Sequence, residues 1–392
     1  MDPRIFIAKL RIKSSRLFTR LLLGKYVGNL PGSVIRSLEE ISGRDIVDDV
    51  LMDTHKIAGA EVVQYPFQDA LPASFRREKA FDTKNIYILK NVIVSPDSGM
   101  VWMSKGYIFQ ESVGSLGRIM GWGGVLHESL LAVERIRIEE SLITCPDTGY
   151  FHWLLEIMPN VLDALEIEPE ARILISPNRH NYITDALVAL FGEKAIEERC
   201  IVRSSPQTSA RLVVAACQAF SGFVRPRDVE LLRNAFQPKE RNKTSGPERK
   251  IYISRRGTMK RAVKNEKELE NALEKIGFEI VHLERLSFCE QIELMSRASV
   301  IVAMHGAGLS NMIWAKRPCR VVEVFPIDCY NDCFARLALT CGYDYQMTRC
   351  DKSRSGTNGR IPVNEVVQLV ESDAAHNVRN GFICKHSDRT GE

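Results

Sequence analysis

Twelve residues late in the chain, Val300 to Asn311, read VIVAMHGAGLSN. An apolar, β-branched run with no polar alternation describes a strand buried on both faces. It stops at His305, Gly306, Ala307 and Gly308, and a helix is expected over Gly308 to Ala315. A buried strand feeding directly into a helix is the unit of α/β sheets, which sets the fold class. Glycines at such a turn let a ligand approach the backbone closely. The helix start adds free N–H groups and the positive end of a dipole, which suits a diphosphate. His305 would stand on the rim and donate to a phosphate oxygen. A purely structural tight turn would give the same pattern. The run also resembles a dinucleotide fingerprint, but Asn311 replaces the third glycine and the motif lies late in the chain, which argues against a dehydrogenase.

The alternation recurs. A chain of 392 residues exceeds one ordinary core, so two domains are expected. Short strands are read at residues 85–89, 92–94 and 100–103, then at 172–176 and 211–216, with helices over 152–166 and 182–191. Residues 238–248 have linker composition. Beyond them strands at 250–254, 279–283, 300–303 and 320–325 alternate with helices at 266–276, 288–296, 308–315 and 332–339. Residues 1–80 show helical stretches without site chemistry. The expected divisions are a basic amphipathic segment at 1–40, an N-terminal Rossmann-like domain at 41–237, the linker at 238–248 and a C-terminal Rossmann-like domain at 249–392.

The net charge of +4 is too small to imply a nucleic-acid partner. Ten cysteines occur without a Cys-x-x-Cys pair; Cys329 and Cys333 share a helical face but lack histidine partners for zinc. They read as inert thiols of a reducing compartment. No apolar run is long enough to span a membrane, and no secretory signal is visible, so a cytoplasmic location is expected. Between Arg4 and Lys25 basic residues interleave with Ile5, Phe6, Leu10, Leu17, Leu21 and Leu22. That pattern fits a helix lying on an anionic membrane surface, or a basic helix packed locally.

Two further groups carry chemistry. Arg249, Lys250, Arg255, Arg256, Lys260, Arg261 and Lys264 stand close together with no acid among them. Arg255 and Arg256 follow a strand, at the end where open α/β sheets bind ligands, and arginine can hold a phosphate through two hydrogen bonds. The alternative is a solvated basic loop. Upstream, His152 and Glu156 are four apart and share one face of a helix, while Trp153 and Leu154 point to the core. A histidine beside a carboxylate suits a general base, and equally an ordinary helical pair. The chain contains no Asp-x-Asp triplet, so positive charge on a diphosphate would come from arginines and a helix end instead of a metal.

Three blocks in order resemble glycosyltransferase family 61, the capsular polysaccharide biosynthesis domain. They are Tyr150 to Pro159 (YFHWLLEIMP), Ile253 to Arg261 (ISRRGTMKR) with Asn265 and Glu266, and Met304 to Asn311 followed by Val322 to Pro326 (VEVFP). The resemblance spans roughly residues 85–345. It departs at Asn160, where a basic residue is expected. It implies an α/β fold of the GT-B type, two Rossmann-like domains facing a cleft, with an inverting mechanism and no metal or other cofactor. By the same resemblance the nucleotide-sugar donor is bound by Arg255, Arg261, His305 and the turn Gly306, Ala307 and Gly308, with Glu323 on a ribose hydroxyl. Arg256 joins them from its place after the strand and Asn311 from its place in the third block, and Asn265 and Glu266 fall on a family motif but also make a good helix start. His152 or Glu156 would be the base for an acceptor hydroxyl. The expected acceptor is a glycan or lipid-linked glycan of surface polysaccharide biosynthesis at the inner membrane face. A pyruvyl or other non-sugar transferase acting on polysaccharide, and a non-catalytic nucleotide- or glycan-binding scaffold, are the alternatives.

Overall fold

A computed structural model describes residues 34–35, 50–67, 72, 74–102, 108–109, 136–216, 221–236, 247–256, 263, 265–327, 331–351 and 359–372. The basic N-terminal segment, nearly all of the expected linker, Cys329, Lys260, Arg261 and Lys264 lie outside the described residues. No described helix is long and apolar enough to cross a membrane.

The described residues form a mixed α/β structure with two large sheets. The first contains β1 (Val34–Ile35), β2 (Leu51–Ala58), β5 (Lys84–Leu89), β6 (Val92–Val94), β7 (Val101–Trp102), β8 (Ile108–Phe109), β9 (Arg137–Thr144), β10 (Arg172–Ile175), β11 (Cys200–Val202) and β12 (Gln207–Ala215). A separate hairpin pairs β3 (Glu61–Gln64) with β4 (Glu78–Phe81). β12 runs parallel to β9 and antiparallel to β5 and β6. The N-terminal domain expected to be Rossmann-like is therefore built on a mixed sheet, with β9, β10, β11 and β12 in parallel pairs and β2, β5, β6 and β7 in antiparallel ones. Among the described residues β9, β10 and β11 are joined through helices and run parallel, whereas β5 and β6 follow one another in the same direction along one side of β12, with Asn91 between them at a positive φ of 54°. Of the helical stretches expected before residue 80, those that would fall on residues 51–58 and 61–64 are corrected, since these are strands and β2 covers the edge of β5; residues 1–33 and 36–49 lie outside the described residues.

The second sheet is all parallel, in the order β14–β13–β15–β16–β17, where β13 is Arg249–Ile253, β14 Phe278–Val281, β15 Ala298–Met304, β16 Arg320–Phe325 and β17 Asp344–Arg349. β16 is buried at every position, as a strand covered on both faces must be. In register, Ile253 faces Ala303, Ala303 faces Glu323 and Glu323 faces Met347, so the chain leaves β13 and β15 at the same level.

The two sheets share a core. Trp153 and Phe151 from the first half pack on Phe288 and Phe334 of the second, with ring centroids 5.9 and 5.4 Å apart. Inside the first half, Lys84 bridges the buried carboxylates of Asp163 and Asp228 at 2.7 and 3.2 Å, and Arg227 closes the group. Buried charges are tolerated only when paired in this way. Among the described residues all seven cysteines are free and six are buried, in keeping with inert thiols.

Candidate active site

The helix that follows β9 runs from Tyr150 to Ile167 and widens into a π turn over Trp153–Ile157. Pro159 has no N–H to give to Leu155, so an ordinary helical bond is missing where the turn widens. The apolar Trp153, Leu154 and Leu155 are buried, which leaves His152 and Glu156 on the opposite side. Their shared face, read from spacing alone, is thus realised. His152 Nδ1 lies 3.0 Å from Glu156 Oε2.

A loop unmarked in the sequence reading completes this group. Ser221 Oγ and the backbone N–H of Gly222 both donate to Glu156 Oε1, each at 2.7 Å, and Ser221 Oγ is 2.9 Å from His152 Nδ1. With the carboxylate accepting from every side, the Nδ1 proton is the one that satisfies the network, and Nε2 carries the lone pair. The His152 side chain is 46% exposed, enough to meet a substrate. Ser221 and Glu156 share the same ring nitrogen, whereas a nucleophilic triad needs them on opposite nitrogens. Ser221 therefore orients and does not attack. A serine-glycine pair just beyond a strand end was the available signal for this loop.

The second cluster lies at the ends of β13, β15 and β16. His305 is buried, not on the rim: its Nδ1 lies 2.5 Å from Glu323 Oε1, and its ring stacks on Phe325 with centroids 5.2 Å apart. Glu323 is fully buried, and its other oxygen accepts a 2.6 Å hydrogen bond from Tyr345. Both oxygens are taken, so Glu323 meets the imidazole and not a ribose hydroxyl. Burial, and then the neighbouring Glu323, push the Tyr345 phenol well above its ordinary range, which keeps it a donor. Gly306, Ala307 and Gly308 form the turn into a 3-10 helix, Ala307–Trp314, in place of the expected α-helix. Within the turn Ala307 is exposed, Gly308 is half-buried and Gly306 is buried.

Arg255 stands beside this turn. A Cβ built on Gly306 would lie 1.9 Å from Arg255 Nη1. Glu266 sets the position from behind: it is buried and accepts from Arg255 N at 2.7 Å and from the Tyr252 hydroxyl at 2.9 Å. Buried Glu270 accepts from Ser254 at 2.8 Å and lies 3.6 Å from the half-exposed Arg256. Asn265 points the other way: its amide exchanges hydrogen bonds with the backbone of Ile361 at 2.9 and 2.8 Å, and so clamps the chain near the last helix. Asn311 is buried and fully engaged, accepting from Tyr150 at 2.8 Å and Trp314 at 3.2 Å and donating to Gln291 at 3.0 Å. It is a strut between the halves. Glu266, Asn265 and Asn311 therefore shape the site from within and do not face a ligand. Arg261 lies outside the described residues.

The two clusters are linked by a chain of ring contacts. His152 touches Phe151, Phe151 touches Phe334, and Phe334 touches His305, with successive ring centroids 5.3, 5.4 and 5.2 Å apart.

Comparison with known proteins agrees with the motif resemblance. Residues 150–322, which contain His152, Glu156, Arg255 and His305 and stop one residue short of Glu323, match the family described as Glycosyltransferase 61. An EGF domain-specific O-linked N-acetylglucosamine transferase of Drosophila melanogaster is 33% identical over 129 residues, 31% of this chain. That stretch is 22% of the relative's own length. Among solved structures, the dodecameric iron-containing heptosyltransferase TibC in complex with ADP-D-beta-D-heptose aligns over 79% of this chain and 80% of its own, at 13% identity and a TM-score of 0.29. The TibC glycosyltransferase of enterotoxigenic E. coli H10407 aligns over 79% and 83%, at 13% identity and a TM-score of 0.30. Both superpositions are loose.

Proposed function

We propose that this chain moves a sugar from a nucleotide-sugar donor to a hydroxyl of a glycan or lipid-linked glycan, with inversion and without a metal; the match of residues 150–322 to the Glycosyltransferase 61 family supports the transfer of a sugar. The observation that carries the reading is the chain of ring contacts that links the half-exposed His152, paired with Glu156, to His305, the residue before the Gly306 turn where Arg255 stands. In this proposal the halves form a GT-B arrangement, with the donor on the second and the acceptor on the first. His152 Nε2 takes the proton of the acceptor hydroxyl. The hydroxyl oxygen bonds to the anomeric carbon, and the bond from that carbon to the diphosphate breaks, its electron pair leaving with the nucleotide. Glu156 stabilises the imidazolium that forms. Arg255, Arg256, Arg261 and the backbone from Gly306 to Gly308 meet the negative charge on the leaving group, the chief electrostatic demand of the step. His305, steadied by Glu323, supports that turn from below. The basic N-terminal segment would hold the chain at an anionic membrane surface in surface polysaccharide assembly.

The test is a panel of nucleotide sugars screened by thermal shift, then by mass spectrometry of products. The first donors to try are the nucleotide derivatives of N-acetylglucosamine, since the Drosophila relative is by its name an N-acetylglucosamine transferase. Release of nucleoside diphosphate with a product heavier by one sugar supports the reading. Binding without turnover would make the chain a scaffold, and a non-sugar mass increment would make it another kind of transferase.

A further inference from the structure

Gly222 is held at both ends of its residue. Its N–H donates to Glu156 Oε1 at 2.7 Å, and its carbonyl accepts from Arg336 Nη2 at 2.6 Å. Its φ is 90°, a left-handed conformation that favours glycine, so the loop turns sharply enough to present both groups. Arg336 lies on the helix Cys333–Thr340 of the second half and is only 4% exposed. Its Nη1 pairs with Asp332, and its Cζ lies 4.1 Å from the ring centroid of Phe223. Asp332 accepts in turn from the backbone N–H of Arg76 at 2.8 Å. A buried arginine committed to a carboxylate, a ring and one carbonyl has little freedom to move.

We propose that Arg336 is a positioning residue for the His152–Glu156 pair, acting across the interface of the two halves; this rests on the reading of His152 as the base. Arg336 fixes the Gly222 peptide, Gly222 and Ser221 fix the carboxylate of Glu156, and the carboxylate holds the Nδ1 proton of His152. Nε2 is then the basic nitrogen. The same helix carries Phe334, whose ring touches His305, so the helix that steadies the base also lines the donor turn. The base is complete only when the second half is docked. Removing the carboxylate's anchor frees Glu156 to turn away, and the imidazole proton then distributes between both nitrogens.

The experiment reads the tautomer of His152 directly. Full-length protein labelled with 15N-histidine is studied by long-range proton–nitrogen NMR at about pH 8.5, above the ordinary titration range of histidine. The His152 signals are identified by their loss in His152→Gln. Wild type is expected to show the Nδ1–H tautomer. In Arg336→Lys and Arg336→Gln the tautomer ratio should move toward Nε2–H by about tenfold, the size of one lost charge-assisted hydrogen bond. Should either variant fail to fold by thermal unfolding, Asp332→Asn loosens Arg336 more gently and is expected to move the ratio in the same direction. An unchanged tautomer in folded variants, or an Nε2–H tautomer in wild type, would overturn the proposal. The readout needs no substrate, so it judges Arg336 even where His152→Ala keeps its turnover and the base reading itself fails.

Discussion

Arg255 and Gly306 occupy the same small space at the ends of two adjacent strands: a side chain on Gly306 would collide with Arg255 Nη1, only 1.9 Å from its ideal Cβ. Gly306 has φ 169°, an extended conformation open to any residue, so the glycine is required by the arginine and not by the backbone. Gly306→Ala should leave the fold intact and displace the guanidinium. Affinity for the nucleoside diphosphate that the thermal-shift panel identifies, measured by calorimetry, should weaken by about tenfold, as for the loss of one charge-assisted contact. Arg255→Ala should cost a similar amount, and the double variant little more than either single one, because both remove the same contact. Additive losses would separate the two residues.

His152→Ala should lower turnover by roughly a hundredfold or more while leaving donor affinity near that of wild type. Glu156→Gln keeps the shape but loses the anion, and should lose less if Glu156 only orients the imidazole. Steady-state kinetics beside calorimetry on both variants decides this. Near-normal turnover in His152→Ala would make the histidine structural and turn attention to Glu156.

Asn311→Ala should be a stability variant. It strips partners from the Tyr150 hydroxyl, Trp314 Nε1 and Gln291, all at the interface of the halves. Burial pushes the Tyr150 phenol up, so it cannot ionise to relieve the loss. Each buried group left unpaired costs about 1–3 kcal/mol. Urea unfolding should show a loss of about 2–4 kcal/mol, and a change within error would contradict the strut.

Alkaline pH should destabilise the protein before lysines titrate. Burial pushes the thiols of Cys200, Cys341 and Cys350 up to about 11, and that of Cys145 up to about 12. A folded state that keeps its protons while the unfolded chain releases them is fully stabilised below the ordinary thiol value near 9. That stability is lost progressively as the pH climbs through 11 to 12. Unfolding free energy should therefore fall from pH 9 upward, with a shallower slope in Cys341→Ala. A flat profile from pH 8.5 to 11 would contradict it.

Turnover should survive EDTA. The expectation comes from the missing Asp-x-Asp triplet and the arginines after β13, which supply positive charge without an ion. Activity abolished by chelator and restored by manganese would reverse it.

Local order was legible along the chain. Apolar runs placed β13, β15 and β16, four-residue spacing put His152 and Glu156 on one face, and the glycines marked the turn after Met304. These signals arise because the periods of strand and helix, and the freedom of glycine, are properties of neighbouring residues. Contacts at long separation left no such trace. Ser221 meets Glu156 across 65 residues, Arg336 meets Gly222 across 114 and Tyr150 meets Asn311 across 161. Whether a polar side chain faces a ligand or a neighbour depends on which element packs over it. Glu323, Asn265 and Asn311 have the composition of ligand-binding residues, and packing turned each inward. The strand and the turn belong to the sequence alone, whereas the anchoring of Glu156 by Ser221 and Gly222, the contact of Arg336 with Gly222 and the burial of His305 exist only once the chain folds and its two halves pack together.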